Sequence, residues 1–128
     1  MGTFRLLRAY EPVNGGYRIL VDRLWPRGLS KERGAIDDWA KDVAPSPQLR
    51  VAFSHKAERF AEFTEHYVQE LEVGSASEGA TRLLEIAAQQ NDVVLVYAAR
   101  DTVHNHAVVL IDYLNERQRE AANQTKLA

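Results

Sequence analysis

Two stretches of the chain are apolar at successive positions rather than at alternate ones. Ile19, Leu20 and Val21 form the core of residues 17–24, and Val93 to Tyr97 follow the turn at Asn91-Asp92. Short, β-branched-rich runs of this kind predict strands buried on both faces. Residues 3–9, apolar and basic in turn, predict a further strand before the turn chemistry of residues 11–16, with its Pro and its Asn-Gly pair. Pro26 and Gly28 stop the first apolar run, because proline cannot donate to a sheet ladder.

Between the two runs the period becomes helical. Residues 36–43 predict a short helix closed by Ala44-Pro45. Ser46-Pro47 places a capping serine before a proline at the first helical position, and the helix it starts is predicted to end near Phe53. Phe60, Phe63, Tyr67 and Leu71, spaced by three, four and four, mark one face of a helix over about 56–71, which Gly74 should end. Ser75 and Glu78 have the spacing of a capping box for another helix through Ala88, with Leu83, Leu84 and Ala87 inward. Val103, Ala107, Leu110 and Leu114 predict a final amphipathic helix from about Val103. The polar residues from about 120 onward predict a frayed tail.

Doubly apolar strands separated by helices, closing on a strand–loop–helix, predict an α/β fold. The expectation is a single domain over residues 1–128, with a small, partly parallel sheet flanked by helices. Ligands of such sheets gather at the carboxyl ends of the strands, beside the loops into helices. Here those ends read "RLWPRG" (residues 23–28) and "AARDTVHNH" (residues 98–106), so two polar clusters are expected on one edge.

Composition narrows the chemistry. A formal charge of −2 gives no global attraction to nucleic acid or anionic membrane, so any anion site must be local. The absence of cysteine removes disulfides, thiolate metal sites and cysteine nucleophiles, and fits a reducing compartment. No run of 18 apolar residues and no signal-peptide pattern occurs, and Leu6 breaks the myristoylation pattern that Gly2 would open. A cytoplasmic protein without membrane attachment is expected.

The first cluster brings Arg18, Arg23, Arg27, Lys31 and Arg33 against Asp22 and Glu32. Guanidinium forks grip carboxylates and phosphates, and Trp25 offers a stacking face between Arg23 and Arg27. Gly28 permits close backbone approach. The structural alternative is that Trp25 is core and the arginines pair with carboxylates such as Asp37 and Asp38. In the second cluster, Asp101 or Thr102 is placed to cap the last helix, whose free amide groups favour an anion beside Arg100. His104 and His106 titrate near neutrality. At helical spacing they point about 200° apart, so a regular helix directs only one of them to a given site. His-x-His has poor geometry for zinc on a helix, so no metal site is expected. Ser54 beside His55 reads as a helix cap rather than a nucleophile.

The blocks "RLWPRGLSKE", "DDWAKDVAPSPQLR", "SHKAERFAEFTEHYVQEL" and "VVLVYAARDTVHNHAVVL" stand in the order and spacing of the YeaO-like branch of the domain of unknown function 488 family, which this chain resembles over about residues 3–115. The resemblance marks Arg23, Trp25, Pro26, Arg27, Gly28, Asp38, Trp39, Pro45, His55 and Arg59. It also marks Tyr97, Arg100, Asp101, His104, Asn105 and His106. It implies a small cytoplasmic α/β protein and no established activity. The family usually shows Gly-His-Asp where this chain has "SHK". Longer relatives in the wider family carry a cysteine-containing strand–loop–helix near the equivalent place, similar to rhodanese-type and thiol-phosphatase loops. Without cysteine, only the anion-holding part of that arrangement carries over.

The combined expectation is a pocket for a small anionic ligand, such as a nucleotide, phosphate ester or carboxylate. Arg23, Trp25, Arg27, Gly28, Arg100 and Asn105 would bind it. In an enzyme, His104 or His106 would be the acid/base and Asp101 would orient an imidazole. No cofactor is named by these residues. The alternative is a non-catalytic interaction protein that meets a protein or nucleic-acid partner through its Arg/Trp edge.

Overall fold

The computed structural model describes residues 2–127. Its centre is β4 (Asp92–Tyr97), which is paired in parallel with β1 (Thr3–Arg8) on one side and β2 (Tyr17–Leu20) on the other. A two-residue β3 (Asp38–Trp39) adds in parallel to the outer edge of β2, giving the order β1-β4-β2-β3. The two apolar runs are therefore adjacent, and Ile19, Leu20 and Val93 to Val96 are all fully buried. The expected α/β domain with a parallel sheet is what forms.

The helices are α1 (Lys31–Gly34), α2 (Pro47–Phe53), α3 (Phe60–Leu71), α4 (Gly74–Gln89) and α5 (His106–Leu127). One face of the sheet presents Ile19, Val21, Val93 and Leu95 to Phe53, Tyr67, Leu83 and Leu110 of the four longer helices. The other presents Leu20, Val94 and Val96 to a thin cover from the segment between β2 and β3, where Leu29, Trp25 and Ile36 pack. Alternation along each strand distributes the side chains between the two faces. Arg18 shares the thinly covered face and is buried at 2% exposure. Its Nε donates to the Gly34 carbonyl at 2.9 Å, and its backbone N–H donates to the Asp37 carboxylate at 2.8 Å. Burial pulls its pKa down from the ordinary arginine value.

Three local expectations are corrected. Residues 36–43 are not a helix: they supply β3 and a 3-10 turn at Lys41–Val43. The open edge of β2 decides this, since Asp37 N–H donates to the Arg18 carbonyl and Ala40 N–H to the Leu20 carbonyl, both at 2.8 Å. The Ser75–Glu78 capping box is absent, because α4 already starts at Gly74 (φ 60°) after Val73, which makes no side-chain cap bond. The last helix begins at His106 rather than Val103. The Asp101 carboxylate takes the N–H groups of Val103 and His104, and Asn105 then caps the helix proper. At the far end α5 continues through the segment whose composition predicts fraying, and residues 121–124 there are exposed.

The Ser46-Pro47 start of α2 forms as read: Ser46 Oγ accepts the Leu49 N–H at 3.2 Å, and the Glu70 carboxylate holds the Ser46 backbone N–H at 2.8 Å. The end of α2 is strained. Ser54 (φ 47°) and His55 (φ 55°) are successive non-glycine residues in the left-handed region, which costs roughly 1–2 kcal/mol per residue. Ser54 is the left-handed C-cap of α2, a position that glycine fits best.

Two measurements check these assignments. Leu110→Ala removes a fully buried side chain and should lower unfolding free energy by about 2–5 kcal/mol in urea melts. Ser54→Gly should raise it by up to about 1 kcal/mol, by relieving the left-handed backbone.

Candidate functional site

Because β2 and β4 are parallel neighbours, the chain leaves both at the same edge. The two exits are stitched together beyond the strands. Val21 N–H donates to the Val96 carbonyl at 3.0 Å, and Ala98 N–H donates to Oδ2 of Asp22 at 3.0 Å. A pocket of about 560 Å³ opens beside this junction, under α2 and α3. That volume suits a small molecule. Its apolar wall is Phe53, Phe63, Leu24, Ala44 and Pro45, and its cations are Arg23, Arg50 and Arg100. Arg23 is anchored, with its guanidinium donating to the carbonyls of Ala44 (3.2 Å) and Pro45 (3.3 Å). Arg100 lies exposed in the loop after β4.

That loop is organised by two side chains. Oδ1 of Asp101 accepts the Val103 and His104 N–H groups at 2.9 Å each, and Oδ2 lies 2.9 Å from Nδ1 of His104. These bonds to its charged form hold the Asp101 pKa down at about 2. Asn105 is buried at 1% exposure. Its amide donates to the Asp101 carbonyl at 2.8 Å, and its Oδ1 accepts the Val108 N–H at 3.1 Å, so one side chain closes the loop and caps α5.

His106, the first residue of α5, turns inward. Its Nε2 lies 3.0 Å from the Val21 carbonyl and 3.3 Å from Oδ1 of Asp22, and its ring meets Tyr67 edge to face. A carbonyl only accepts, so Nε2 carries the hydrogen and the neutral ring keeps its lone pair on Nδ1. Burial pushes the His106 pKa down, against the raising pull of Asp22 and the Val21 carbonyl. The positive end of the α5 dipole acts in the same direction as burial. Burial also pushes Asp22 up, opposed by His106 and by the Ala98 N–H. Desolvation thus drives both partners towards their neutral forms.

The pocket brings together Arg23, Arg100, Asp101, Asn105 and His106 of the residues singled out from sequence. His104 sits on the outer side of the loop, its ring edge-on to Phe60. Trp25 packs with the second core, its Nε1 donating to the Leu29 carbonyl at 2.6 Å and its ring meeting Trp39 edge to face. Arg27 is exposed beside it, its carbonyl accepting from the Tyr10 hydroxyl, and Gly28 (φ 77°) turns the chain there. From sequence, Asp22 reads only as a counter-charge, Arg50 only as part of a family block, and His55 only as the neighbour of Ser54 and a position marked by the resemblance. For Asp22 a signal existed: it is the first polar residue after an apolar run that ends at the ligand-bearing edge. Among the described residues no group of three or more His, Asp or Glu side chains is arranged to hold a metal ion, and no helix is long and apolar enough to cross a membrane.

The titration of His106 follows from this geometry. NMR should find its midpoint below the ordinary value of about 6.5, and lower still in Asp22→Asn, where the charge that favours the imidazolium is gone. On acidification the unfolded chain takes up this proton first. The contribution of neutral His106 to stability is therefore lost as pH falls from about 6.5 towards the lower folded value. A His106 midpoint that rises in Asp22→Asn would contradict the pairing.

Comparison with known proteins places the chain among relatives of undefined role. It is 45% identical over 109 residues to the uncharacterized protein YeaO of Escherichia coli K12, covering 84% of this chain and 92% of that one. It is 39% identical over 115 residues to the uncharacterized proteins Mb3100c of Mycobacterium bovis and Rv3073c of Mycobacterium tuberculosis H37Rv, covering 88% of this chain and 94% of each. No solved structure matches. A family model described as "Inactive DUF488-N3 subclade" matches residues 3–128, from the first strand through the last helix, and the chain belongs to that family.

Proposed function

We propose that this protein binds a small anionic molecule with an apolar portion, and that it does so without covalent catalysis. The observation that carries this reading is the convergence of Arg23, Arg50 and Arg100 on an apolar-walled pocket of about 560 Å³ at the carboxyl ends of β2 and β4. Guanidinium groups suit phosphate or carboxylate oxygens, and the rings of Phe53 and Phe63 suit an apolar substituent. The loop after β4 opens with Ala98 and Ala99, and the chain has no cysteine. The subclade description, "Inactive", agrees with binding in place of turnover. Asp101 and Asn105 set the shape of the loop, while His106 is the polar group beneath it. The lack of cysteine also fits a cytoplasmic location.

Isothermal titration with phenyl phosphate at low ionic strength tests the proposal. Arg100→Ala should weaken binding about tenfold, the worth of one charge-assisted hydrogen bond, and shift stability by no more than about 0.5 kcal/mol. Arg27→Ala, on the far side of the sheet, should leave binding unchanged. Equal losses in the two variants, or no binding at all, would overturn the assignment.

A further inference from the structure

His106 is an unusual residue to find under an anion pocket. A histidine that binds an anion as imidazolium offers a charge and a donor. Here Nε2 is already committed beneath the pocket to the Val21 carbonyl, with Asp22 Oδ1 at 3.3 Å, and the side chain is only 15% exposed. The groups around it resist a second proton. Arg50 from α2 and His55 from the turn after α2 oppose the cation, Asp22 favours it, Asp101 lines the same pocket, and α3 packs the neutral ring of Tyr67 against it. The nitrogen left for whatever the pocket holds is Nδ1, which has no protein partner among the described residues and carries a lone pair. An oxyanion without hydrogen would meet that lone pair with its own, a repulsion at a side chain that is only 15% exposed. An oxyanion that brings an O–H would meet it with a hydrogen bond.

We propose that the pocket selects oxyanions that carry their own hydrogen-bond donor, a phosphate monoester over a sulfate ester, because Nδ1 of His106 is fixed as an acceptor. The inference rests on the anion-binding reading above and adds the chemical class of the ligand. A phosphate monoester holds its second proton with a pKa near 6, whereas a sulfate ester has none to offer near neutrality. At pH 7.5 the free phosphate ester is mainly the dianion. The complex then gains one proton from solvent, which sits between a phosphate oxygen and Nδ1, and no covalent bond changes. A sulfate ester binds only when His106 itself is protonated, against the burial and the cations that disfavour it.

The test uses phenyl phosphate and phenyl sulfate, matched in shape, titrated calorimetrically into the full chain at pH 7.5 in buffers of different ionisation enthalpy. Phenyl phosphate should bind at least about tenfold more tightly, with uptake of about one proton. In His106→Asn, whose amide is able to donate, the preference should shrink towards unity and the uptake towards zero. In Asp22→Asn both esters should bind more tightly and the preference should persist, since the acceptor remains. Thermal melts establish that each variant is folded; should His106→Asn not fold, the wild-type preference and proton uptake decide the matter alone. Equal affinities, or a phosphate preference without proton uptake, would overturn the inference and leave the anion pocket standing, because a preference for charge alone needs no proton. Failure of both esters to bind would overturn the pocket reading and this inference with it.

Discussion

Everything at the candidate site depends on the parallel pairing of β4 with both β1 and β2. A parallel pair cannot be closed by a tight turn, so the chain must cross over between strands, and every crossover brings it back to start again at the same end. The carboxyl ends are thereby collected on one edge. Residues far apart in sequence become neighbours: the bond from Ala98 to Asp22 spans 76 positions and that from His106 to Val21 spans 85. Neither cluster is a site by itself. Arg23 of the β2 exit and the loop of the β4 exit share one pocket because the sheet aligns them.

What the sequence discloses follows from how local each determinant is. The apolar runs at 19–21 and 93–97 declare themselves because a strand covered on both faces has to be apolar at every position. The aromatic spacing of α3 is equally explicit, since its period is set by the helix alone. The edge strand β3 is not legible: two residues have no period, and their conformation is imposed by the unpaired groups of β2. The same holds for the loop after β2. Arg23 and Trp25 look like one cluster, yet the chain there has no regular repeat, and its turns send Arg23 towards the pocket and Trp25 to the opposite side of the sheet. Asp22 and His106 become partners only through tertiary structure, although each is visible as a polar residue at a strand end or helix start.

The loop between β4 and α5 runs from a strand end to a helix start and contains no cysteine. Its free amide groups are already engaged by Asp101 and Asn105, so less of the helix end is open to a ligand than its position implies. Attraction for an anion must then come chiefly from the guanidinium groups around the pocket. On the reading proposed above, such a site would hold a ligand by charge and shape, with an acceptor below.

The buried guanidinium of Arg18 has a consequence for folding as well. Arg18 alternates with Ile19 along β2, one towards the thin cover and the other towards the helices. A slip of one residue in the pairing of β2 with β4 would exchange them, moving a cation into the aliphatic layer beneath α3 and α5 and away from the Gly34 carbonyl and Asp37. In the native register the charge keeps one acceptor through Nε. In the slipped register it would keep none. Two adjacent strands whose buried side chains are otherwise apolar, and so discriminate weakly between alignments on hydrophobic grounds, are indexed to each other by one ion.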